Sequence, residues 1–284
     1  MAKYQPKSKN ELKSLVVAKL LQDESINLGE IDVSNITDMS YLFAESPLKD
    51  FSGIETWDVS NVENMEGMFT GAVNFNQDIS RWNMSNVKNM VCMFLNVASF
   101  NKNISSWDVS NVTNMAWMFA GAEKFNQSIG NWDVSKVTNM SHMFYSAKNF
   151  NQPISDWNVS QVKDMHNMFD GAEQFNQDIS NWQVSNVVDM RSMFAGVENF
   201  NQDISGWNVS NVTDMSSMFT KAKSFNQSLS NWDVSNVTNM SFMFAGAENF
   251  NQDINKWKIN NYADMFGMFD YSPLENNPPA WYKK

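Results

Sequence analysis

Basic residues, cysteine, histidine, glycine and proline are all scarce in this sequence. Its 20 Lys and Arg stand against 31 Asp and Glu, which gives a net charge of −11. A chain this acidic has no basic patch for phosphate groups, so nucleic acid and anionic membrane surfaces are excluded as expected partners. The single cysteine, Cys92, permits no internal disulfide and leaves the redox compartment open.

Long apolar runs are missing as well. No stretch is apolar enough to span a bilayer, and residues 1–6 contain no signal-peptide core. Taken literally, the sequence predicts a cytoplasmic protein, although a chain whose export signal had been removed would look the same.

The abundant residues are Met (21), Phe (21) and Trp (11), and nearly all of them recur with a period of 25. The unit is Trp-x-Val-Ser-Asn-Val-x-x-Met-x-x-Met-Phe-x-x-Ala-x-x-Phe-Asn-Gln-x-Ile-Ser-x, present ten times from Ile31, where the first unit lacks its Trp. One unit cannot bury its own apolar face, so the units must stack and each column becomes a ladder through the core. The tryptophan ladder comprises Trp57, Trp82, Trp107, Trp132, Trp157, Trp182, Trp207, Trp232 and Trp257.

Two local signals predict secondary structure within a unit. The first consists of apolar residues spaced by 3, 4 and 3 positions: Val62, Met65, Phe69 and Ala72. This spacing predicts one face of a short helix, while the alternation at 57–59 predicts a short strand. We therefore expect an α/β repeat solenoid, leucine-rich-repeat-like, with one short parallel strand and one short helix per 25-residue coil. The Phe-Asn-Gln-x-Ile arm is expected to be an irregular turn with ladders of side-chain amides.

The ends of the chain depart from the repeat and predict caps. A capping-box pattern at Ser8 and Glu11 precedes a helix of about residues 9–22 whose apolar face would contain Leu12, Leu15, Val16 and Leu20. The predicted domains are an N-terminal capping helix region (1–30), a ten-coil solenoid (31–270) and a C-terminal cap or tail (271–284). The prolines at 278 and 279 cannot extend a sheet.

The repeat is specific enough to resemble a known family. The segment 107–127 contains Trp-Asp-Val-Ser-Asn-Val-Thr-Asn-Met, Met-Phe and Phe-Asn-Gln, and it resembles the bacterial surface protein 26-residue repeat, grouped with BspA-like leucine-rich repeats. The resemblance covers residues 31–270. It implies a secreted or surface-anchored bacterial protein with a role in adhesion and no catalytic activity. The period of 25 and the missing export signal depart from that family.

Few residues in the sequence could form a catalytic or metal-binding site. His142 and His166 lie in adjacent units, so their side chains are expected to approach each other, but no third metal ligand recurs at a fixed spacing. Cys92 has no His in register to activate it. The recurring Asp residues, such as Asp58 and Asp78, alternate with Asn, Gln, Ser and Pro in other units, which is typical of solvated polar faces rather than acid–base pairs. The prediction is no enzyme, no cofactor and no metal.

Binding is expected where the units differ. On a helical wheel, the most outward position is two after the first Met, and aromatic or histidine residues there are candidate contacts. The predicted contact surface comprises Trp117, His142 and Phe242 at that position, together with Phe266, one residue after the first Met of the last unit. The alternative is that single exposed aromatics are ordinary surface residues. The opposite face is flat, polar and lined by a Ser column from Ser60 to Ser235.

Three functions follow from these observations. The first is a non-enzymatic surface or secreted protein that binds a protein or glycan. The second is an intracellular scaffold that binds a partner protein in the same way. The third is a metal-dependent enzyme built on the two histidines. The oligomeric state and the ligand are left open.

Overall fold

The computed structural model describes residues 4–22 and 28–283. The repeats form a stack of coils joined by parallel bridges, each one residue wide, at the position just before the first Met of the unit. The bridges join Asp38 to Asn64, Asn64 to Asn89, Asn89 to Asn114, Asn114 to Asn139, Asn139 to Asp164, Asp164 to Asp189, Asp189 to Asp214, Asp214 to Asn239 and Asn239 to Asp264.

The predicted α/β fold class is wrong. The described repeats contain no α-helix and no sheet, but turns, these isolated bridges and one short 3-10 helix. In residues 4–22 and 28–283 there is one α-helix, α1, which spans Lys9–Gln22 and precedes the repeats. Short 3-10 helices lie at Leu28–Glu30, Ile54–Thr56 and Pro273–Glu275.

The segment 65–71 explains why helical spacing misleads here. Every second residue donates its N–H to a carbonyl of the following coil. Of the residues between, Met68 and Thr70 donate to a carbonyl three positions back, and Glu66 donates to the side-chain Oδ1 of Asn64. Met65, for example, donates to Asn89 O at 3.0 Å, whereas Met68 donates to Met65 O at 3.2 Å. An α-helix needs bonds to the carbonyl four positions back. The apolar spacing of 3 and 4 therefore reflects consecutive tight turns.

The predicted strand at 57–59 is also a turn region. Trp57 donates its backbone N–H to Ile54 O, three residues earlier, at 3.1 Å, and Val62 donates to Val59 O at 2.9 Å. The connection to the preceding coil is made by the indole instead. Its Nε1–H donates to a carbonyl 28 or 29 residues earlier at 2.8–3.2 Å, in every Trp of the ladder. Because these indoles are only 2–5% exposed, each one satisfies a buried carbonyl as well as filling the core.

The interior is a set of stacked rings between methionines. Within one coil Phe119 stacks on Phe125 with ring centroids 4.0 Å apart, and it lies 5.7 Å from Phe144 of the next coil. Met115 and Met118 are fully buried beside them. Nearly parallel rings at these separations add attraction beyond area burial, and flexible methionines fill the gaps between them.

Polar side chains cross-link the coils outside the core. Asn101 Oδ1 accepts hydrogen bonds from Asn126 N (3.0 Å) and Gln127 Nε2 (2.9 Å) of the next coil. The same pattern recurs along the column. The predicted amide ladder in the Phe-Asn-Gln arm is confirmed.

The helix α1 begins with the predicted cap. Ser8 Oγ accepts the N–H of Glu11 at 3.3 Å, and the Glu11 carboxylate accepts the N–H of Lys7 at 2.8 Å, one residue before the expected donor. Leu12 and Val16 are buried and Leu15 is partly buried against the core, while the side chain of Leu20 lies outside the described residues. The division at residues 30 and 270 stays a prediction.

The C-terminal tail imitates one further coil. Trp281 stacks on Trp257 with centroids 6.1 Å apart, and its indole N–H donates to Ile254 O at 2.9 Å. These are the contacts that an additional repeat Trp would make. The tail thereby covers the tryptophan side of the last coil.

Candidate functional site

A left-handed backbone recurs in two columns, four residues apart in each coil. The residue two after the first Met of each unit has φ between +52° and +62° in all ten coils. We name this set the left-handed column: Tyr41, Gly67, Cys92, Trp117, His142, Asn167, Ser192, Ser217, Phe242 and Gly267. The left-handed region costs about 1–2 kcal/mol for a residue with a side chain, so glycine is the expected occupant. Backbone preference therefore does not explain the aromatic and histidine residues found there.

The aromatic members of this column lie over the next coil. A Cβ built on Gly67 would come within 2.5 Å of the Tyr41 ring, and one built on Gly267 would be 2.5 Å from the Phe242 ring. Trp117 has no glycine after it and instead stacks flat on His142, with centroids 3.6 Å apart and an interplanar angle of 9°. Each ring thus forms a flat platform on the outside of the stack.

The predicted contact residues form two pairs. Trp117 and His142 make one pair and are both half-buried. Phe242 and Phe266 make the other, edge to face with centroids 5.3 Å apart, and are 38% and 71% exposed. His142 and Phe242 are 100 residues apart, which is four periods of 25, so the pairs do not form one patch.

The two histidines meet as expected. The rings of His142 and His166 are nearly perpendicular, with centroids 4.5 Å apart. His142 Nδ1 is buried and has no hydrogen-bond partner among the described residues. Burial, followed by the nearby His166, lowers the pKa of His142 to about 4. His142 is therefore neutral near pH 7 and acts as a flat, uncharged partner for Trp117.

Two carboxylates that the sequence analysis did not connect with His166 lie beside it. Asp164 Oδ1 is 2.6 Å from His166 Nδ1, and Asp189 Oδ2 is 3.9 Å from the same nitrogen. Arg191 Nε is 3.5 Å from Asp189 Oδ2. Burial raises the pKa of Asp189 against the opposing effects of its bonds to Arg191. These are the described His, Cys, Asp and Glu side chains that come together as metal ligands would.

A signal for this cluster was present in the sequence. The residue before the first Met is Asn in five coils and Asp in the other five, and three of the Asp residues are consecutive, at Asp164, Asp189 and Asp214. His166 lies two positions after the first of them. Only the 25-residue register of stacked coils places the second carboxylate against that histidine.

The other recurring Asp residues stabilise turns by accepting backbone hydrogen bonds. Asp108, Asp133 and Asp233 each accept the backbone N–H of the Ser two positions later through Oδ1, at 3.0–3.1 Å. The Ser hydroxyl and this N–H hold the pKa of each carboxyl below its usual value. Asn83 and Asn158 accept the equivalent bond in other coils. The Asp-x-Ser pattern is therefore explained by local structure, without acid–base chemistry.

The cysteine belongs to the left-handed column but has no activating group. Cys92 is half-buried, and burial, then the charge of Glu66, raises the pKa of its thiol. A raised pKa keeps the thiol protonated and weakly nucleophilic.

Two clefts lie near the ends of the stack. One of about 700 Å³ is lined by Tyr4, Pro6 and Leu15 beside α1, and one of about 440 Å³ by Met265, Phe266 and other residues of the last coil. No helix in the described part of the chain has the length and apolarity to cross a membrane.

The repeat matches a known protein family. The family described as "Mycoplasma protein of unknown function, DUF285" matches residues 12–130, 96–200 and 176–281. These overlapping matches cover most of the chain, so the protein belongs to this family of tandem-repeat proteins. No curated protein matches the chain. The narrower resemblance to BspA-like leucine-rich repeats stays a prediction.

Proposed function

We propose that this protein is a non-enzymatic binding protein that contacts a protein or glycan partner through the left-handed column. The observation that supports the proposal is the stacked pair of Trp117 and His142, at positions where glycine would be less strained. Strained residues that persist in a fold point toward function. A flat, partly exposed indole beside polar groups suits either a protein side chain or a sugar ring.

The neighbours of this pair supply polar contacts. Tyr145 is 37% exposed and its ring centroid is 6.0 Å from that of Trp117. Arg191 and Asp189 lie on the far side of His142, near His166. An aromatic platform with hydroxyl, cationic and anionic groups around it can orient a polar partner. The flat Ser face has no such platform.

Site-specific photo-crosslinking tests this proposal. A photoreactive phenylalanine analogue replaces Trp117 in one variant, Phe242 in a second and the exposed Val188, outside the column, in a control. On source cells we expect a discrete crosslinked partner from position 117 and none from 188. Equal crosslinking at all positions would contradict the proposal. Binding of the wild type and of Trp117→Ala to a glycan array separates a sugar partner from a protein one.

The resemblance to BspA-like surface repeats favours a place on the bacterial surface, and the alternative is a scaffold inside the cell. Protease shaving of intact source cells, followed by immunoblotting of the full-length protein, tests this part of the proposal. Loss of the protein from intact cells supports adhesion. Protection until lysis supports the intracellular scaffold, which uses the same binding face.

A further inference from the structure

We propose that Asp164, His166 and Asp189 form a binding site for a divalent transition-metal cation, with zinc as the representative ion. The ligand atoms would be Asp164 Oδ1, His166 Nδ1 and Asp189 Oδ2. Mixed imidazole and carboxylate ligands suit zinc and its neighbours in the first transition row. The site contains no residue of the two aromatic pairs and is independent of the proposed partner-binding function.

The distances are close to those of a metal site. His166 Nδ1 lies 2.6 Å from Asp164 Oδ1 and 3.9 Å from Asp189 Oδ2. Ligands about 2.0–2.2 Å from zinc in a tetrahedral arrangement lie roughly 3.3–3.6 Å apart. The two observed distances lie on either side of this range, so small side-chain rotations would bring all three atoms onto one ion. Binding through Nδ1 releases any proton on that nitrogen to solvent.

The fold itself does not require carboxylates at these positions. Each coil needs a side-chain Oδ1 there to accept the N–H two residues later, and asparagine does this at Asn89, Asn114 and Asn139. In Asp189 that bond uses Oδ1 and leaves Oδ2 directed toward His166. Two carboxylates in successive coils repel each other unless a positive charge lies between them.

The site is sheltered and still reachable. The side chains of His166, Asp164 and Asp189 are 16%, 31% and 26% exposed. This leaves room for water to complete the coordination, as at zinc sites with three protein ligands. Arg191 Nε, 3.5 Å from Asp189 Oδ2, is the protein's own competing cation.

Cobalt and zinc titrations of the full-length protein test the site. Co²⁺ is followed by its visible absorption and Zn²⁺ by calorimetry, with the wild type, Asp164→Asn, Asp189→Asn and the control Asp214→Asn. Asparagine preserves the turn in other coils, so all three variants are expected to fold. Asp214 has the same turn, to Ser216, but lies outside the cluster. We expect one bound ion in the wild type and in Asp214→Asn, and affinity reduced on the order of 10–100-fold in the other two.

A further variant separates a metal site from an ordinary ion-pair network. Arg191→Gln removes the competing charge, and it should tighten metal binding roughly three- to tenfold. The proposal is overturned if the wild type binds neither ion, or if both Asp→Asn cluster variants bind as tightly as the wild type. Binding lost in His142→Gln and His166→Gln but retained in both Asp variants would assign the ion to a two-histidine site and also overturn it.

Discussion

The interior columns and the left-handed column obey different rules in the same coils. Phe119, Phe144 and Phe169 are identical because each is enclosed by rings of its own coil and of its neighbours. The left-handed column contains ten residues of eight types at one nearly constant backbone conformation. Packing fixes the side chain where neighbours surround it on all sides. Where one side faces solvent, the backbone is fixed and the side chain is free to serve another purpose.

The largest expected effect is in the interior. Trp157→Ala removes a 3% exposed indole, opens a cavity between Phe144 and Trp182, and takes away one of the two N–H donors to Ile129 O. We expect a loss of about 3–5 kcal/mol in the free energy of unfolding, measured by urea denaturation. Trp117→Ala is the matched control, and it should lose no more than about 1.5 kcal/mol of stacking. Equal losses in the free energy of unfolding of both variants would show that the interior columns and the left-handed column do not differ in this way.

The next largest effect on stability is expected at Gly130, where the sequence departs from the repeat. Gly130 replaces the usual Ser of its column, and a Cβ there would lie 2.4 Å from Pro153 O of the next coil. Gly130→Ser should therefore cost about 1–3 kcal/mol through overpacking. Adding Pro153→Asp restores the combination found elsewhere, for example Ser180 with Asp203, and should recover stability. A double variant no better than the single one would show that the two positions are not coupled.

Backbone strain alone should have a smaller effect. Gly196, four positions after the column residue Ser192, has φ +66°, and a Cβ there would make only ordinary contacts at 3.7 Å. Gly196→Ala is expected to cost about 1–2 kcal/mol because of φ. Gly206, with no atom within 4 Å and no left-handed φ, is the control, and Gly206→Ala should change stability by less than about 0.5 kcal/mol. Thermal melts compare the two variants.

The smallest expected effect is on the stability of the protein at low pH. The folded-state pKa values of Asp108, Asp133 and Asp233 lie below the usual 3.8, so the stability they contribute is present above that pH and is lost as pH falls through the lower values. The triple variant to Asn keeps the turns, because Asn83 and Asn158 make them. Its urea midpoint should fall less than that of the wild type between pH 6 and pH 3. Solvent exposure of these carboxyls keeps the difference small, and identical falls would count against the turn interpretation.

The sequence predicted the stacking of the coils more accurately than it predicted their local structure. The helix predicted from Val62, Met65 and Phe69 is absent because alternate N–H groups bond to the next coil rather than four residues back. Side-chain periodicity records which residues point inward, and tight turns with inward residues every three or four positions produce the same spacing as a helix. The strand predicted at 57–59 failed for a similar reason, since an indole N–H makes the connection there that backbone groups make in a sheet.

The candidate site was predicted in part. The position of Trp117 and His142 on a variable outer column followed from the differences between units, whereas the left-handed backbone and the flat stack of the two rings did not. Asp164 and Asp189 were not assigned to His166, because each fits a polar column when its own unit is considered alone.

The sequence by itself determined the period of 25 and the inward columns of Trp, Met and Phe, because identical residues at a fixed interval can bury their apolar surface only against their own copies. Only the tertiary structure decided where the backbone bonds go, which residues adopt a left-handed φ and which side chains converge across coils. The physical reason is register: residues 25 apart become neighbours only once the coils are stacked, and no local propensity encodes that contact.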